Sequence, residues 1–127
     1  MAYTEWVYNV EGTDEFTAWY ASLADDVADQ VDELVDLVEQ HGHQLKRPHA
    51  DTLTGSKKIP NLKELRRKIN DQTHLRILFA FDPRRTAILL LGGNKSGNWK
   101  GWYQTAIPAA EVLYDKYLQE LRDEGSI

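Results

Sequence analysis

The chain has 127 residues, a net charge of -5 and 42% hydrophobic residues, so it is long enough to bury one core and too apolar to be disordered. It has no cysteine, which excludes disulfides and thiolate metal sites, and its first residues lack the basic and apolar regions of a signal peptide. We therefore expect a single domain over residues 1–127, located in the cytoplasm and neither exported nor inserted in a membrane.

The N-terminal third predicts one strand and two helices. "YTEWVYNV", residues 3–10, has the aromatic and β-branched alternation of a strand. Apolar residues then recur every three or four positions over residues 14–41, with Thr13 as a candidate N-cap and Gly42 as a plausible end. A continuous helix of this length would measure about 42 Å, too long for a compact domain. We therefore expect an antiparallel helix pair with a break near residues 24–26.

The rest of the chain predicts a basic loop, three strands and a helix. Residues 42–61 are rich in Gly, Pro, Ser, Thr and Asn, as loops are. The strands are "LKELRRKIN", "HLRILFAFD" and "TAILLLGG", separated by the turns "DQT" and "DPRR". The last helix begins near Pro108.

This β-α-α-β-β-β-α order indicates an α+β fold, a four-stranded, mainly antiparallel sheet with the helices packed on one face. In the middle strand, Leu75, Ile77, Phe79 and Phe81 would form the core face. The opposite face of the sheet would then be free.

The free face is expected to be basic. Residues 1–45 carry 11 acids and no Lys or Arg, whereas residues 46–103 carry 13 Lys and Arg against 4 acids. Because neighbouring strands lie about 4.8 Å apart, Arg66, Lys68 and Arg76 would converge there. A guanidinium in the middle of an apolar strand needs an anion, which is either a bound phosphate or the internal carboxylate of Glu64.

The stretch "GGNKSGNWKGWY" follows the last strand and combines glycines, lysines and aromatic residues. Its lysines can reach phosphates and its aromatic side chains offer flat surfaces for unpaired bases, which is typical of single-stranded nucleic-acid binding. The alternative is that Trp99 and Trp102 pack under the C-terminal helix.

Other chemistries are poorly supported. "GGNKSG" lacks the spacing of a phosphate-binding loop, and no GxSxG motif is present. Four histidines lack the spacing of a zinc site, so we expect no metal and no cofactor. His74 shares a face with Arg76, which makes a role in proton transfer conceivable.

Several motifs together resemble the HigB-like, phage-derived branch of the RelE/ParE toxins of bacterial type II toxin–antitoxin systems. They are the "ELR" strand, "LRILFAF", "AILLLGGNKSG", "WKGWY" and "IPAAEVLYDKYLQEL". The similarity is close over residues 59–124 and holds only by pattern before them.

The resemblance implies a RelE-like fold and a metal-independent endoribonuclease that cleaves mRNA in the decoding site of the ribosome and so inhibits translation. The 2′-hydroxyl would attack the adjacent phosphate, giving a 2′,3′-cyclic phosphate. A helix-turn-helix antitoxin would silence the toxin in a hetero-oligomeric complex. Members often carry a histidine near the C-terminus, whereas this chain has none after His74.

By position, the resemblance assigns catalysis to residues on the strands and just after them. Arg66 and Arg76 would stabilise phosphorane charge, Lys95 would position the phosphate, Lys68 is a possible base, and Tyr103 would stack or transfer a proton. RNA contacts are expected from Lys57, Lys58, Arg67, Trp99, Lys100 and Trp102.

Three alternatives remain at this point. A ParE-like protein would inhibit DNA gyrase on the same fold, although ParE-like proteins generally lack this basic and aromatic cluster. A non-catalytic RNA-binding module would use the same face without cutting. An inactive toxin remnant would keep only its antitoxin contact.

Overall fold

The structure, a computed structural model, describes residues 7–127. Within this range no helix is long and apolar enough to cross a membrane. The α+β class and the alternation of elements are as predicted, with one additional strand. The elements are β1 (Val10–Gly12), α1 (Asp14–Ala21), α2 (Asp25–His41), a short 3-10 helix (Gly42–Gln44), β2 (Ala50–Thr52), β3 (Lys63–Asn70), β4 (Thr73–Phe81), β5 (Ala87–Asn94) and α3 (Gly101–Asp123).

The sheet has five strands in the order β1-β5-β4-β3-β2, and all neighbours are antiparallel except β1 and β5. The prediction of four strands was wrong because β2 lies inside the segment read as a loop. Its three residues, Ala50–Thr52, have no strand pattern of their own and are extended by pairing with β3. Tertiary pairing, rather than local propensity, creates this edge strand.

The predicted first strand overlaps the observed one only slightly. Residues 3–6 of that prediction lie outside the described residues. Among residues 7–10 only Val10 belongs to β1, which continues to Gly12 and pairs with Ala87 to Leu89 of β5.

Two helices replace one long helix, as predicted, but the break lies at residues 22–24, slightly before the predicted position near residues 24–26. Thr13 caps α1, since its Oγ1 accepts a hydrogen bond of 3.0 Å from the backbone N–H of Phe16. Gly42 ends α2 with a φ of 53°, a conformation that favours glycine.

Helices cover both faces of the sheet, which corrects the prediction that they pack on one face. Ile77 and Phe79 of β4 contact the side chains of α1 and α2, whereas Leu78 and Ala80 face α3. The two residue sets alternate along β4. The alternation that predicted one core face therefore also places Leu78 and Ala80 in a second core on the other face. The second core holds Ile59, Leu62, Leu78, Ala80, Ile88, Leu90, Ala106 and Ala110.

Helix α3 begins at Gly101, seven residues before the predicted start at Pro108, which lies inside the helix. A proline within a helix costs about 3 kcal/mol, so Pro108 predicts the start of a helix rather than its interior. The packing of Trp102 and Ala106 against the sheet accompanies the longer helix. The consequence is that Trp102 and Tyr103 project from the first turn of α3 rather than from a loop.

Candidate functional site

The basic residues of β3 and β4 meet on the α3 side of the sheet. Arg66 pairs directly with Arg76, and Lys68 pairs with His74. Since α3 covers only part of this face, an open groove remains beside these residues. We call it the basic groove; it is lined by Arg47, Pro48, Arg66, Arg67, Lys68, His74, Arg76 and Trp99.

One carboxylate serves both guanidinium groups. Glu64 Oε1 lies 3.5 Å from Arg76 Nε, and Glu64 Oε2 lies 3.7 Å from Arg66 Nε. The Glu64 side chain is 6% exposed and the Arg76 side chain 4%, whereas that of Arg66 is 22% exposed. The internal ion pair of Arg76 with Glu64, left open by the sequence, is therefore present. It leaves an excess of positive charge, because two guanidinium groups share one carboxylate.

Tyr103 closes this cluster from α3. Its hydroxyl donates a hydrogen bond of 2.5 Å to Glu64 Oε1 and accepts one of 3.3 Å from Arg76 Nε. Burial, and then the hydrogen bond to Glu64, raise the pKa of Tyr103 to about 12. The hydroxyl is therefore protonated at neutral pH and cannot act as a general base there.

Tyr103→Phe is expected to lower the free energy of unfolding by about 1.5–3 kcal/mol, the usual cost of losing a hydrogen bond to a charged group. Because the folded-state pKa is raised, this stabilisation is fully present below the unfolded pKa of about 10 and is lost as the pH rises through about 12. Urea denaturation at several pH values from about 6 to about 9 should give a constant difference from wild type. A difference that changed across this range would show that the hydroxyl titrates there.

Lys95 and Trp99 stand beside the cluster. Lys95 is buried, and its Nζ lies 4.2 Å from the ring centroid of Trp99 and 5.3 Å from that of Tyr103. Burial, and then the positive charge of Arg76, lower the pKa of the Lys95 ammonium. Trp99 is 50% exposed and meets the ring of His74 edge-on, with centroids 4.7 Å apart. An exposed indole over a lysine provides a flat, positively charged surface.

Trp102 is packed rather than exposed. A Cβ added at Gly93 would lie 2.7 Å from Trp102 Nε1, and one added at Gly92 would lie 2.4 Å from ring atoms of Trp19 on the other face. Both glycines are residues of β5, and their lack of a side chain allows the two indoles to approach the backbone.

The expected RNA-binding role of Arg67 is not supported by its position. Arg67 borders the basic groove, but its NH1 donates hydrogen bonds to Gln30 and Glu33 of α2. The bond to Glu33 is 2.8 Å long. The period of two along β3 places Arg67 on the face opposite to Arg66. Arg67 therefore ties the sheet to α2.

Lys57, Lys58 and Lys100 are exposed and lie outside the basic groove. The backbone N–H groups of Lys57 and Lys58 each donate 3.2 Å hydrogen bonds to Glu111 of α3. Both lysines border a second groove that also contacts Tyr103. Lys100 directly precedes α3.

Three residues of the basic groove, Arg47, Pro48 and His74, were not identified from the sequence as binding residues. Arg47 is largely exposed, pairs with Asp51 at 2.7 Å, and reaches the groove because β2 lies beside β3. For His74 the sequence predicts only a role in proton transfer. The position of Arg47 follows from the pairing of β2 with β3, which the polar segment before β3 did not reveal, whereas His74 lies where the alternation along β4 predicts it.

Among residues 7–127, no three His, Cys, Asp or Glu side chains come together in a way that could hold a metal ion. A second cluster of charged side chains lies elsewhere beside α3. It joins Asp82, Arg84, Tyr117 and Glu11 near the β4–β5 turn, with Asp82 accepting hydrogen bonds from Arg84 and Tyr117.

Comparison with known proteins gives relatives along most of the chain. The profile of the family "Phage derived protein Gp49-like (DUF891)" matches residues 18–115. HigB3 of Mycobacterium tuberculosis, named as a candidate toxin, is 46% identical over 100 residues, which cover 79% of this chain and 84% of HigB3. HigB2 of the same organism, also named as a candidate toxin, is 37% identical over 118 residues, covering 93% of this chain and 57% of HigB2.

Solved structures share the fold at low sequence identity. The intact Escherichia coli RelBE toxin–antitoxin complex contains a chain with a TM-score of 0.54 and 11% identity, matched over 68% of this chain and 95% of its own length. The archaeal RelE–RelB complex from Pyrococcus horikoshii gives a TM-score of 0.51 at 17% identity, over 72% and 98% of the two chains. The fold is thus RelE-like. The family profile and the two sequence relatives show that the chain belongs to the phage-derived Gp49-like family, which includes its HigB relatives.

Proposed function

We propose that the chain is the toxin of a type II toxin–antitoxin system and that it cleaves mRNA in the decoding site of translating ribosomes. The relatives named as toxins and the RelE-like fold support the toxin assignment. A cytoplasmic location and a helix-turn-helix antitoxin that forms a hetero-oligomer with the chain are part of the proposal. The solved relatives that contain RelB support an antitoxin partner.

The observation that carries the proposal is the pairing of Arg66 directly with Arg76 around the single carboxylate of Glu64. Like charges placed directly opposite in a sheet are destabilising, so this arrangement is costly for the fold alone. It becomes favourable when a phosphate supplies further negative charge. Trp99, half-exposed beside it, adds a surface for an unpaired base.

The reaction needs charge stabilisation and proton transfer. The ribose 2′-oxygen attacks the adjacent phosphorus and gives up its proton, and the 5′-oxygen leaves with a proton, so that a 2′,3′-cyclic phosphate and a 5′-hydroxyl remain. We assign Arg66 the role of stabilising the negative charge on the phosphorane oxygens. The positive charge of Arg76, which lies behind Arg66, adds to this stabilisation. Proton transfer falls to Lys68 and His74, which are paired on the adjacent strands β3 and β4 and both line the groove.

Controlled expression followed by mapping of RNA 5′ ends tests the proposal. We expect new ends inside translated frames, matched by 3′ fragments that carry a cyclic phosphate, and no new ends when translation initiation is blocked. RNA binding without such ends would instead identify a binding module. Gyrase-dependent DNA breaks without RNA cuts would identify a ParE-like inhibitor, and unimpaired growth would identify an inactive remnant.

Trp99→Ala is expected to weaken binding of a single-stranded oligoribonucleotide about 5- to 150-fold, the range for losing one base–aromatic stack. Because half of this side chain is exposed, the free energy of unfolding should change by no more than about 0.5 kcal/mol. Fluorescence anisotropy measures the binding and urea denaturation the stability.

Trp102→Ala is the matched control for Trp99→Ala, because both tryptophans belong to the "NWKGW" stretch. Trp102 packs on Gly93 and the second core, so its removal should cost about 2–4 kcal/mol of stability. RNA binding by folded Trp102→Ala should change less than that of Trp99→Ala. The reverse pattern would show that Trp102, and not Trp99, contacts RNA.

A further inference from the structure

The carboxylate of Glu64 is the centre of the cluster behind the basic groove. Its two oxygens lie near the Nε atoms of Arg76 and Arg66, and one of them also accepts a hydrogen bond from the Tyr103 hydroxyl. Arg76 is fixed further by NH1, which donates a 2.8 Å hydrogen bond to the backbone oxygen of Leu75. Glu64 therefore links a residue of each of three elements, β3, β4 and α3.

Arg66 is the member of the cluster that reaches the groove. Its Nε is buried and has no hydrogen-bond partner within residues 7–127, and the nearest negative charge to it is Glu64 Oε2 at 3.7 Å. Its side chain is nevertheless partly exposed and lines the basic groove. Its position is thus set by attraction to Glu64 and repulsion from Arg76, rather than by a direct hydrogen bond from Nε.

The molecule contains a second cluster of tyrosine, carboxylate and arginine side chains. It serves as a comparison for the side chains that attach α3 to the sheet. Near the β4–β5 turn, Tyr117 of α3 donates to Asp82, and Arg84 lies 3.1 Å from the same carboxylate oxygen. There one guanidinium faces two carboxylates, since Glu11 lies 3.6 Å from Arg84. A tyrosine, two carboxylates and a single arginine therefore join α3 to the sheet at this end.

The Glu64 cluster contains one arginine more than this. Arg76 already fills the place that Arg84 fills in the Asp82 cluster, so Arg66 is not needed to attach α3. An additional cation held against a like charge by a shared carboxylate is an arrangement for binding an external anion.

We propose that Glu64 is a positioning residue of the cleavage site. Its carboxylate holds the Arg66 guanidinium in the orientation in which it meets the phosphate undergoing attack. The same carboxylate repels the phosphate before the reaction, so it weakens RNA binding while it accelerates cleavage. This inference rests on the proposed function.

The two effects of Glu64 have opposite signs, and Glu64→Gln separates them. Glutamine keeps the shape and can accept the hydrogen bond of Tyr103, but it removes the negative charge. We expect binding of a single-stranded oligoribonucleotide to become roughly 3- to 10-fold tighter, because the groove gains one net positive charge. We expect the single-turnover cleavage rate at saturating protein to fall about 10- to 100-fold, because Arg66 is no longer held in place.

The experiment uses the full chain, with binding measured by anisotropy and cleavage measured on mRNA bound to ribosomes in a purified translation system. Asp82→Asn is the control, since it removes a buried carboxylate from the other cluster, six residues or roughly 20 Å along the strand from Arg76. It should lower the melting temperature and leave binding and cleavage unchanged. Glu64→Asp keeps the charge and should bind RNA as wild type does while recovering part of the rate.

Each result has a distinct meaning. If Glu64→Gln cleaves at the wild-type rate, or if its loss of cleavage comes with no tighter binding, the positioning role of Glu64 is wrong and the proposed nuclease stands. If wild type itself gives no cyclic-phosphate cuts, the proposed function is wrong and the role of Glu64 falls with it.

Discussion

Arg66→Ala is expected to lower the rate of mRNA cleavage by about 10²–10³-fold, the usual cost of removing one group that stabilises transition-state charge. Arg66 is the arginine of the Glu64 cluster that is exposed to the groove, so no other guanidinium of the cluster can take its place without moving. Folding should be little affected, because the change also relieves the repulsion between Arg66 and Arg76. Single-turnover cleavage in a purified translation system measures the rate, and urea denaturation measures the stability.

The neighbouring residue supplies the control for this substitution. Arg67→Ala removes the same charge from the same strand, but from a side chain bound to Gln30 and Glu33 of α2. Its cleavage rate should stay within about threefold of wild type, and its stability should fall by about 1 kcal/mol or less. Equal losses of cleavage in the two variants would mean that general positive charge, and not the position of Arg66, supports the reaction.

The contrast between Arg66 and Arg67 shows what a sequence reveals about such a site. Alternation along β3 and β4 is a local property, and it correctly placed Arg66, Lys68 and Arg76 on one face. The same alternation puts Arg67 on the other face, so the expectation that it binds RNA disagreed with a pattern already visible in the sequence. The pattern gives the face on which a residue lies, but it does not say what covers that face.

The features that escaped prediction depend on contacts between distant segments. β2 is a strand only because β3 lies beside it, and α3 extends to Gly101 across a proline while Trp102 packs on Gly93. Neither contact has a local signature in the polar and glycine-rich segments involved. The fold class was therefore predictable, whereas the second helical layer was not.

The candidate site shows the same division. That Arg76 needs an anion follows from the desolvation of a guanidinium in an apolar strand, and Glu64 was one of the two anions considered. That Glu64 also contacts Arg66 and Tyr103 depends on distances of 2.5–3.7 Å that no residue pattern contains. The tryptophans likewise differ in exposure because β5 has a glycine opposite one and not the other.

The two-sided core makes a large and specific prediction about stability. Leu78 and Ile77 are adjacent in β4 and fully buried, but Ile77 faces α1 and α2 whereas Leu78 faces α3. Replacing either by alanine leaves a cavity, so each variant should lose about 2–5 kcal/mol of unfolding free energy. A domain of this size has only about 5–15 kcal/mol in total, so either loss is severe.

Urea denaturation followed by circular dichroism measures both variants, with Val112→Ala on the exposed side of α3 as a control that should change stability by about 0.5 kcal/mol or less. If the helices covered one face alone, Leu78 would be exposed and its replacement would cost little. A small effect for Leu78→Ala beside a large one for Ile77→Ala would therefore contradict the packing of α3. Since Tyr103 approaches Glu64 from that helix, the same result would also remove the support on which the geometry of Arg66 depends.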